Sequence, residues 1–379
     1  MDLHHEPALL PASVLATIAA NAGRHDRDAS FPHDSLAALH RAGLLGLTVP
    51  TRLGGRGAGL GTAIDAVGAV GGACASTALV FAMQVVHHHR LADVEEFSPG
   101  LRDRVGREAV EIGALVNALR VEPALGTPAR GGLPATVARR TADGWQITGR
   151  KIYSTGAPGL RWFLVWARTE EDTPRVGSFL VPADAPGIRI EETWDHLGLR
   201  ASGSHDVVLE DVAIPAGHSG ELRPPQAWGR EPDIAAWNVA LIGALYTGVA
   251  RAARDWIVQF LQNRRPANLG AALATLPRMQ EAVGAIEERL AVNAALLEAV
   301  AQAMDAGTPQ PTGTLNLFKT TIAENAVRAV EQAVTLGGNH ALSRENPLER
   351  HLRDVLCARI HTPQVDSAYI AAGRAALGV

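Results

Sequence analysis

Lysine is nearly absent from this chain of 379 residues. It occurs only at Lys151 and Lys319, although lysine and arginine together number 35. We ascribe the shortage to a GC-rich genome rather than to function. The basic residues form no run or patch, and the formal net charge is −4. Composition therefore excludes the electrostatic footprint of a nucleic-acid-binding protein or of a protein bound to an anionic membrane surface.

Cysteine is equally scarce, with only Cys74 and Cys357. Two distant cysteines give neither a disulfide framework nor a metal-ligand spacing. The histidines 87–89 would face three directions on a helix, with no acidic or cysteine partner at ligand spacing, so we predict no metal site.

Long apolar runs are missing too, and none reaches about 18 residues, so we expect no membrane span. The first twenty residues carry acids and no basic region, so we expect no secretory signal. A cytoplasmic protein is the resulting expectation.

The composition that is present, 47% hydrophobic and 20% charged residues, is typical of a folded chain with a large core. Along the chain, the periodicity of the apolar residues changes twice. We predict a helical domain at 1–111, a β domain at 112–225 and a helical bundle at 226–379.

Helical periodicity marks both ends of the chain. In the first part Pro32 opens an apolar pattern, a loop at 49–59 follows, and Ser76 could cap the next helix. In the last part we predict three long helices and a fourth that begins near residue 349, packed as a four-helix bundle. The three long predicted helices cover 234–262, 276–304 and 314–336.

The central part consists of short β-rich runs. A hairpin is predicted within 135–153, where Asp143-Gly144 interrupts an alternating pattern. Further strands are predicted with no helix between them, which is typical of an antiparallel barrel or sandwich. These strands lie at 161–169, 176–184, 187–192 and 204–215.

The stretch ERHLRDVLCARIHTPQ (349–364) is charged at its start and ends in a proline. Two i,i+4 pairs, Glu349–Arg353 and Arg350–Asp354, should stiffen a helix here. Since Thr362 precedes a proline, the helix should end near His361. That histidine follows Asp354 by two helical turns, so both should point to the same side.

An imidazole at a helix C-terminus is favoured in its charged form and can exchange a proton near neutral pH. His361 could therefore serve a reaction. The alternative is that it is a structural cap or an ordinary polar residue in a substrate pocket.

Several motifs in this order resemble the acyl-CoA dehydrogenase superfamily of flavoproteins, and the resemblance covers nearly the whole chain. The resemblance implies an α+β fold in three parts, with a flavin between the β domain and the bundle. It also implies a homotetramer in which neighbours complete the flavin site. The motifs are AGLLGLTVPTRLGG (42–55), GACASTAL (72–79), GRKIYSTGA (149–157), WDHLGLRASGSHDVVLEDVAIP (194–215), LGGN (336–339) and PLERHLRD (347–354).

Strand alternation places Tyr153 and Thr155 on one face. By resemblance, Tyr153 is the aromatic beside the flavin ring and Thr155 supplies a hydroxyl to its edge. In the stretch 121–127, Val121 replaces a hydroxyl that the family uses, while Gly126 and Thr127 could still contact the flavin or its phosphates.

The resemblance further assigns Arg264, or its neighbour Arg265, to the flavin pyrophosphate of a neighbouring subunit. Gly337 and Gly338 would let the backbone approach the adenosine half of FAD. A solvated helix end and a plain helix cap are the alternatives. FAD and FMN both remain open, because such contacts are generic.

The family's catalytic glutamate is missing. Its usual place holds Thr362-Pro363, and the neighbourhood of its place in other members, Trp237-Asn238-Val239, holds no acid. A threonine hydroxyl is too weak a base to remove the α-proton of a thioester.

His361 instead resembles a histidine of two-component flavin monooxygenases, such as the p-hydroxyphenylacetate hydroxylase oxygenases and dibenzothiophene monooxygenase. In that branch a separate reductase supplies reduced flavin, and the histidine assists the reaction with oxygen or activates the substrate. We therefore predict a monooxygenase of a small organic substrate with His361 as acid/base.

Two alternatives remain. The first is an acyl-CoA dehydrogenase acting on an acyl thioester, with Asp366 or Asp233 as its base. The second is a flavin-binding relative that has lost its chemistry.

Overall fold

The computed structural model describes residues 10–93, 97–125, 132–228 and 232–379. The first part of the chain is helical, as predicted, with a single-turn 3-10 helix at Thr51–Leu53 in the predicted loop. Ser76 does not cap a helix, because that helix already begins at Ala75. The five helices are α1 (Ala12–Asp28), α2 (His33–Arg41), α3 (Leu60–Ala73), α4 (Ala75–Asp93) and α5 (Pro99–Glu111).

The middle of the chain forms one sheet in the order β1-β4-β2-β3-β7-β6, with β5 on β4. The predicted hairpin is confirmed, since β2 and β3 pair antiparallel around residues 141–143. The sheet is mixed, because β4 runs parallel to both β1 and β2. The strands are β1 (Leu115–Leu119), β2 (Val137–Arg140), β3 (Gly144–Ser154), β4 (Leu160–Thr169), β5 (Val176–Pro182), β6 (Ile188–Glu191) and β7 (His205–Pro215).

The last part of the chain contains the three long predicted helices, but the fourth is broken. Its first segment, Leu348–Leu356, spans only nine residues and is followed by a 3-10 turn at Cys357–Arg359. The three-part order agrees with the expectation, and the exact domain boundaries stay a prediction. The helices are α6 (Pro232–Asn263), α7 (Pro277–Asp305), α8 (Thr312–Gly337), α9 (Asn339–Leu342), α10 (Leu348–Leu356) and α11 (Val365–Leu377).

Helix α6 is the core of the bundle. It is long and apolar enough to cross a membrane by composition, but 83% of its most apolar window is buried inside the protein. Its contact with α3 is very close: a Cβ added at Gly248 would lie 2.0 Å from the carbonyl oxygen of Gly68. Glycine is therefore required where these two helices cross.

Arg353 on α10 joins the three parts of the chain. Its guanidinium donates to both carboxylate oxygens of Asp26 on α1, at 2.6 and 3.0 Å. It also donates to Glu349, at 2.9 and 3.0 Å, and to the Leu197 carbonyl after β6, at 3.0 Å. The predicted Glu349–Arg353 pair is thus confirmed as part of a network that ties α10 to α1 and to the β domain.

The predicted pair between Arg350 and Asp354 is wrong. Asp354 turns inward and accepts the backbone N–H of Leu199 at 2.7 Å. Burial raises the pKa of Asp354 to about 6. The β-domain loop can approach this closely because Gly198 lies against α10, where a Cβ would be 2.3 Å from the Arg353 carbonyl oxygen.

Arg353→Met should lower the free energy of unfolding by about 3 kcal/mol, because it leaves the mostly buried Asp26 carboxylate unpaired. Arg359→Met is the matched control, since its pair with Glu324 is more exposed and should contribute about 1 kcal/mol or less. Urea unfolding measures both variants. Equal losses would show that Arg353 does not join the parts in the way described.

Buried histidines should make stability depend on pH. His88 and His351 are 3% and 4% exposed. Burial lowers the pKa of His88 to about 4 and, with help from Arg350, that of His351 to about 3. Below their unfolded pKa of about 6.5, the unfolded chain binds protons that the folded chain refuses, so stability is lost as the pH falls towards these folded values.

We expect each of these two histidines to cost roughly 2 kcal/mol of unfolding free energy at pH 5 relative to pH 7. Denaturant unfolding at both pH values measures the difference. His351→Leu should flatten the profile, and an unchanged profile in that variant would contradict the assignment.

Candidate functional site

Tyr153, at the end of β3, presents its ring to the outside. The side chain is 55% exposed, and its backbone is left-handed, with φ of 56°. Trp194 lies edge-on to the ring at 6.2 Å between centroids and itself stacks on His196 at 3.6 Å. The predicted alternation holds here, since Ser154 is buried between two more accessible neighbours. An exposed aromatic held in a strained backbone is a feature of binding sites more than of a core.

Thr155 extends this surface with a chain of polar groups. Its hydroxyl lies 3.0 Å from that of Ser204, which in turn lies 2.7 Å from that of Ser202. Its carbonyl accepts the side-chain amide of Asn117, on β1, at 2.8 Å. Asn117 and Ser204 were not predicted, because single polar residues in a strand and a loop carry no sequence signal.

A buried ion pair holds the strand before Tyr153. Lys151 is fully buried and donates to Glu122 at 2.6 Å and to the Trp166 carbonyl. Glu122 also accepts the backbone N–H groups of Ala135, at 2.6 Å, and Thr136, at 3.0 Å. The pair therefore fixes the start of the stretch 121–127 to β3. The predicted contacts Gly126 and Thr127 lie outside the described residues.

The pKa values of this pair follow from burial and mutual attraction. Burial opposes the charge of both groups and lowers the pKa of Lys151 to about 8. For Glu122 burial favours a higher pKa, but Lys151 and the hydrogen bonds from Thr136 and Ala135 together outweigh burial, so its pKa falls below the ordinary value. Both groups are charged at neutral pH.

His361 lies in the turn after the 3-10 segment, with its ring centroid 5.7 Å from that of Tyr246 on α6. Within the described part of the chain its Nε2 has no hydrogen-bond partner and is shielded from solvent. Burial, and then the charge of Lys319, lowers its pKa to about 4. The imidazole is therefore neutral at pH 7 and can accept a proton.

Two sequence-based expectations for His361 are thus wrong. A charged imidazole was expected from the helix dipole, but desolvation of the ring, whose Nε2 is shielded, outweighs that effect. The predicted helix end near His361 was also wrong, because α10 ends at Leu356 and a 3-10 turn follows it.

Tyr246 was not predicted as a site residue. It is fully buried, and its hydroxyl has no protein partner among the described residues. Burial raises its pKa well above the ordinary value, with smaller contributions from Cys357 and Asp354. A tyrosine inside an apolar helical pattern is predicted to lie in the core. Tyr246 becomes a candidate site residue only in the structure, where its hydroxyl has no partner among the described residues and its ring lies near that of His361.

Among the described residues, neither carboxylate considered as a replacement base forms a hydrogen bond or an ion pair with His361. Asp366 is exposed in the first turn of α11. Asp233 accepts His89 Nε2 at 3.0 Å and lies 13 residues before Tyr246, about 20 Å along α6. At the family's second position for the acid, Asn238 donates to the Ile234 carbonyl at 2.7 Å.

Arg264 is exposed just beyond the end of α6. It lies 18 residues past Tyr246, about 27 Å along the helix, so it stands far from His361 of its own chain. Gly337 packs against α9, where a Cβ would be 2.8 Å from that of Ala341, whereas Gly338 has a φ of 56° and nothing within 4 Å of an added Cβ. Gly337 is thus required for helix packing, and only Gly338 is open.

The three consecutive histidines serve separate environments. Among the described residues, His87 and His88 each leave a shielded ring nitrogen without a partner, and His89 stacks on Trp237 at 3.9 Å. Within residues 10–93, 97–125, 132–228 and 232–379, no three His, Cys, Asp or Glu side chains are grouped so as to hold a metal ion.

Lys151→Met should destabilise the fold by about 3–5 kcal/mol, because Glu122 would be left as a buried charge without its partner. The double variant Lys151→Met/Glu122→Gln should recover part of that loss, since glutamine is neutral and its amide oxygen still accepts one of the two backbone N–H groups. Denaturant unfolding of both variants measures the difference. A double variant less stable than the single one would contradict this account.

Family profiles match almost the whole chain. The N-terminal, middle and C-terminal domains of acyl-CoA dehydrogenase match residues 12–92, 121–212 and 236–362, respectively. YdbM of Bacillus subtilis, which carries an unproven acyl-CoA dehydrogenase name, is 34% identical over 92% of this chain and 90% of its own length. L-evernosamine nitrososynthase of a Micromonospora species is 32% identical over 97% of this chain and 89% of its own.

Solved structures agree on the fold. KijD3 in complex with dTDP is 31% identical, with a TM-score of 0.84 over 97% of this chain and 95% of that one. Butyryl-CoA dehydrogenase from Megasphaera elsdenii is 20% identical, with a TM-score of 0.86 over 100% of both chains. TdsC from Paenibacillus sp. A11-2, solved with FMN and indole, is 22% identical, with a TM-score of 0.83 over 96% of this chain and 94% of that one. Together with the three domain profiles, these similarities establish that the chain belongs to the acyl-CoA dehydrogenase superfamily.

Proposed function

We propose that this protein is a reduced-flavin monooxygenase that acts on a small organic substrate, with His361 as its acid/base. One observation carries the proposal: a shielded, neutral imidazole stands beside Thr362, where a dehydrogenase of this superfamily needs a carboxylate. A neutral imidazole can take up a proton and return it, which oxygen chemistry on a flavin requires.

The residues present fit a flavin. The exposed Tyr153 ring offers an apolar face, and the Thr155 and Ser204 hydroxyls offer an edge of donors and acceptors. The His361 Nε2 and the Tyr246 hydroxyl supply polar atoms that have no partner among the described residues. We infer that Tyr153, Thr155, Gly126 and Thr127 contact the flavin.

A bound flavin would supply the two-electron redox chemistry. This chain's residues would position the ring with Tyr153 and Thr155, and His361 would hold or release a proton at Nε2. Because its pKa lies near 4, His361 should act first as a proton acceptor at pH 7.

The similar proteins support FMN or FAD as the cofactor. KijD3, at 31% identity, was solved with FMN and a dTDP-linked amino keto sugar. Two nitrososynthases, of Micromonospora and Streptomyces rubradiris, match at 32% and 30% identity. They support a small-molecule substrate, and they favour oxygen chemistry over thioester desaturation.

We further propose a homotetramer located in the cytoplasm, with reduced flavin supplied by a separate reductase. The position of Arg264 supports oligomerisation, because the exposed side chain lies too far from its own His361 to reach the same ring. In a neighbour's site, Arg264 could bind the flavin pyrophosphate by paired N–H groups. Gly338 would provide an open backbone for an adenosine half.

Desaturation of an acyl-CoA is the second candidate. It is favoured by the similarity to YdbM and to bovine short-chain acyl-CoA dehydrogenase, which is 28% identical. Asp366 is exposed, and Asp233 lies far along α6 from Tyr246, so neither carboxylate is well placed to be the base of a dehydrogenase. A flavin-binding relative without activity is the third candidate.

His361→Ala should change the reaction of the reduced enzyme with oxygen. We expect the wild-type flavin to return to its oxidised spectrum in two phases, the second slowed in the absence of substrate, and the variant to return in one. Stopped-flow absorbance after anaerobic reduction measures this. His361→Gln is the matched control, because it keeps a polar side chain but cannot exchange a proton.

Acyl-CoA thioesters of several chain lengths, added anaerobically to the oxidised enzyme, should leave the flavin spectrum unchanged. Bleaching by any of them, together with identical oxygen kinetics in wild type and His361→Ala, would refute the monooxygenase proposal in favour of a dehydrogenase.

Tyr153→Ala should weaken flavin binding about tenfold or more, since loss of one aromatic ring stacked on a heterocycle costs roughly 1–3 kcal/mol. Tyr369→Ala is the control, because this tyrosine is similarly exposed, at 59%, on α11. Fluorescence titration with FMN and FAD gives both affinities and distinguishes the two cofactors. Equal affinities in the two variants would remove Tyr153 from the site.

A further inference from the structure

Lys319 is a buried lysine without an acidic partner. It lies in α8 among buried apolar residues such as Leu315 and Ile322, and only 2% of its surface is exposed. Within the described part of the chain no carboxylate pairs with its Nζ, and burial alone lowers its pKa to about 8. Because burying an ammonium is costly, its hydrogen bonds must offset that cost.

The ammonium group of Lys319 donates its hydrogen bonds to the backbone of a single turn. Nζ donates to the carbonyls of Ala358 at 2.9 Å and Pro363 at 3.1 Å, and also to that of His361. An ammonium has three donors, so all of them are used. One of these carbonyls belongs to His361 itself, one lies three residues before it, and one lies two residues after it.

Apart from Lys319, the turn is tied to α8 by Arg359, which pairs with Glu324 at 3.0 Å and with Glu331 at 3.7 Å. The last carbonyls of a helix lack partners within that helix, and α10 ends at Leu356. From within the turn, Ile360 and His361 donate their N–H groups to the same Cys357 carbonyl, at 3.0 and 3.4 Å. The centroid of the His361 ring lies 5.7 Å from that of the Tyr246 ring on α6.

We propose that Lys319 is a positioning residue for His361, which clamps the three carbonyls of the 358–363 turn and so fixes where the imidazole stands. The catalytic consequence rests on the proposed function of His361, whereas the clamp itself does not. Lys319 touches neither substrate nor flavin in this account and acts only through the backbone of the turn.

Lys151 provides a matched comparison. It is as deeply buried, but it pairs with Glu122 and binds one strand carbonyl, that of Trp166, in the β domain. Removing either lysine therefore creates a similar loss of a buried ammonium at a different place. Only loss of Lys319 should loosen the turn that carries His361.

Hydrogen–deuterium exchange of Lys319→Met and Lys151→Met tests the clamp. We expect Lys319→Met to raise the exchange rate of peptides covering 357–364 at least tenfold, and Lys151→Met to leave these peptides at the wild-type rate. Unchanged exchange at 357–364 in Lys319→Met, or an equal rise in Lys151→Met, would overturn the proposal. If Lys319→Met does not fold, Lys319→Gln keeps two donors and should show a smaller rise confined to the same peptides.

Oxygen kinetics of Lys319→Met, His361→Ala and the double variant test the catalytic consequence. If Lys319 acts through His361, the double variant reacts like His361→Ala alone. A further change of more than about threefold in the double variant would contradict action through His361. Identical kinetics in wild type and His361→Ala would refute the proposed function, and the exchange experiment would still decide whether Lys319 clamps the turn.

Discussion

The contact on which the arrangement depends most is the one made by Arg353. One planar guanidinium binds a carboxylate on α1, a carboxylate on its own helix and a carbonyl of the β domain. Next to it, Asp354 accepts the N–H of Leu199, which begins the loop that leads to Ser202 and Ser204. Since Ser204 contacts Thr155, a displacement of α10 would shift the floor of the candidate flavin site.

The elements that could be predicted are those with a strong local pattern. The three long bundle helices and the hairpin at residues 141–143 carry periodicity over many residues, and the structure has them where expected. The fourth helix was predicted to run to about His361, but it ends at Leu356, and carbonyls beyond that end bind Lys319 on another helix, a contact that the local pattern does not contain. The same holds for Asp354, whose partner Leu199 lies in another domain although Arg350 is closer in sequence.

The residues of the candidate site also fall into those that the sequence predicts and those that only the structure shows. Tyr153 and Thr155 stand in a recognisable motif, and the absence of a carboxylate at residue 362 can be read directly. Tyr246, Asn117 and Ser204 become visible only when the fold brings them next to those residues. The protonation state of His361 was also beyond the sequence, because burial determines it and burial belongs to the tertiary structure.

The scarcity of lysine had a structural meaning that composition did not disclose. Both lysines are buried, at 0% and 2% exposure, and each is bonded to a segment of the candidate site. The folded surface therefore offers no ε-amine to aldehydes, ketones or acyl donors. An enzyme working among reactive carbonyl compounds or thioesters would in this way escape modification at lysine, and such modification would occur only after these segments open.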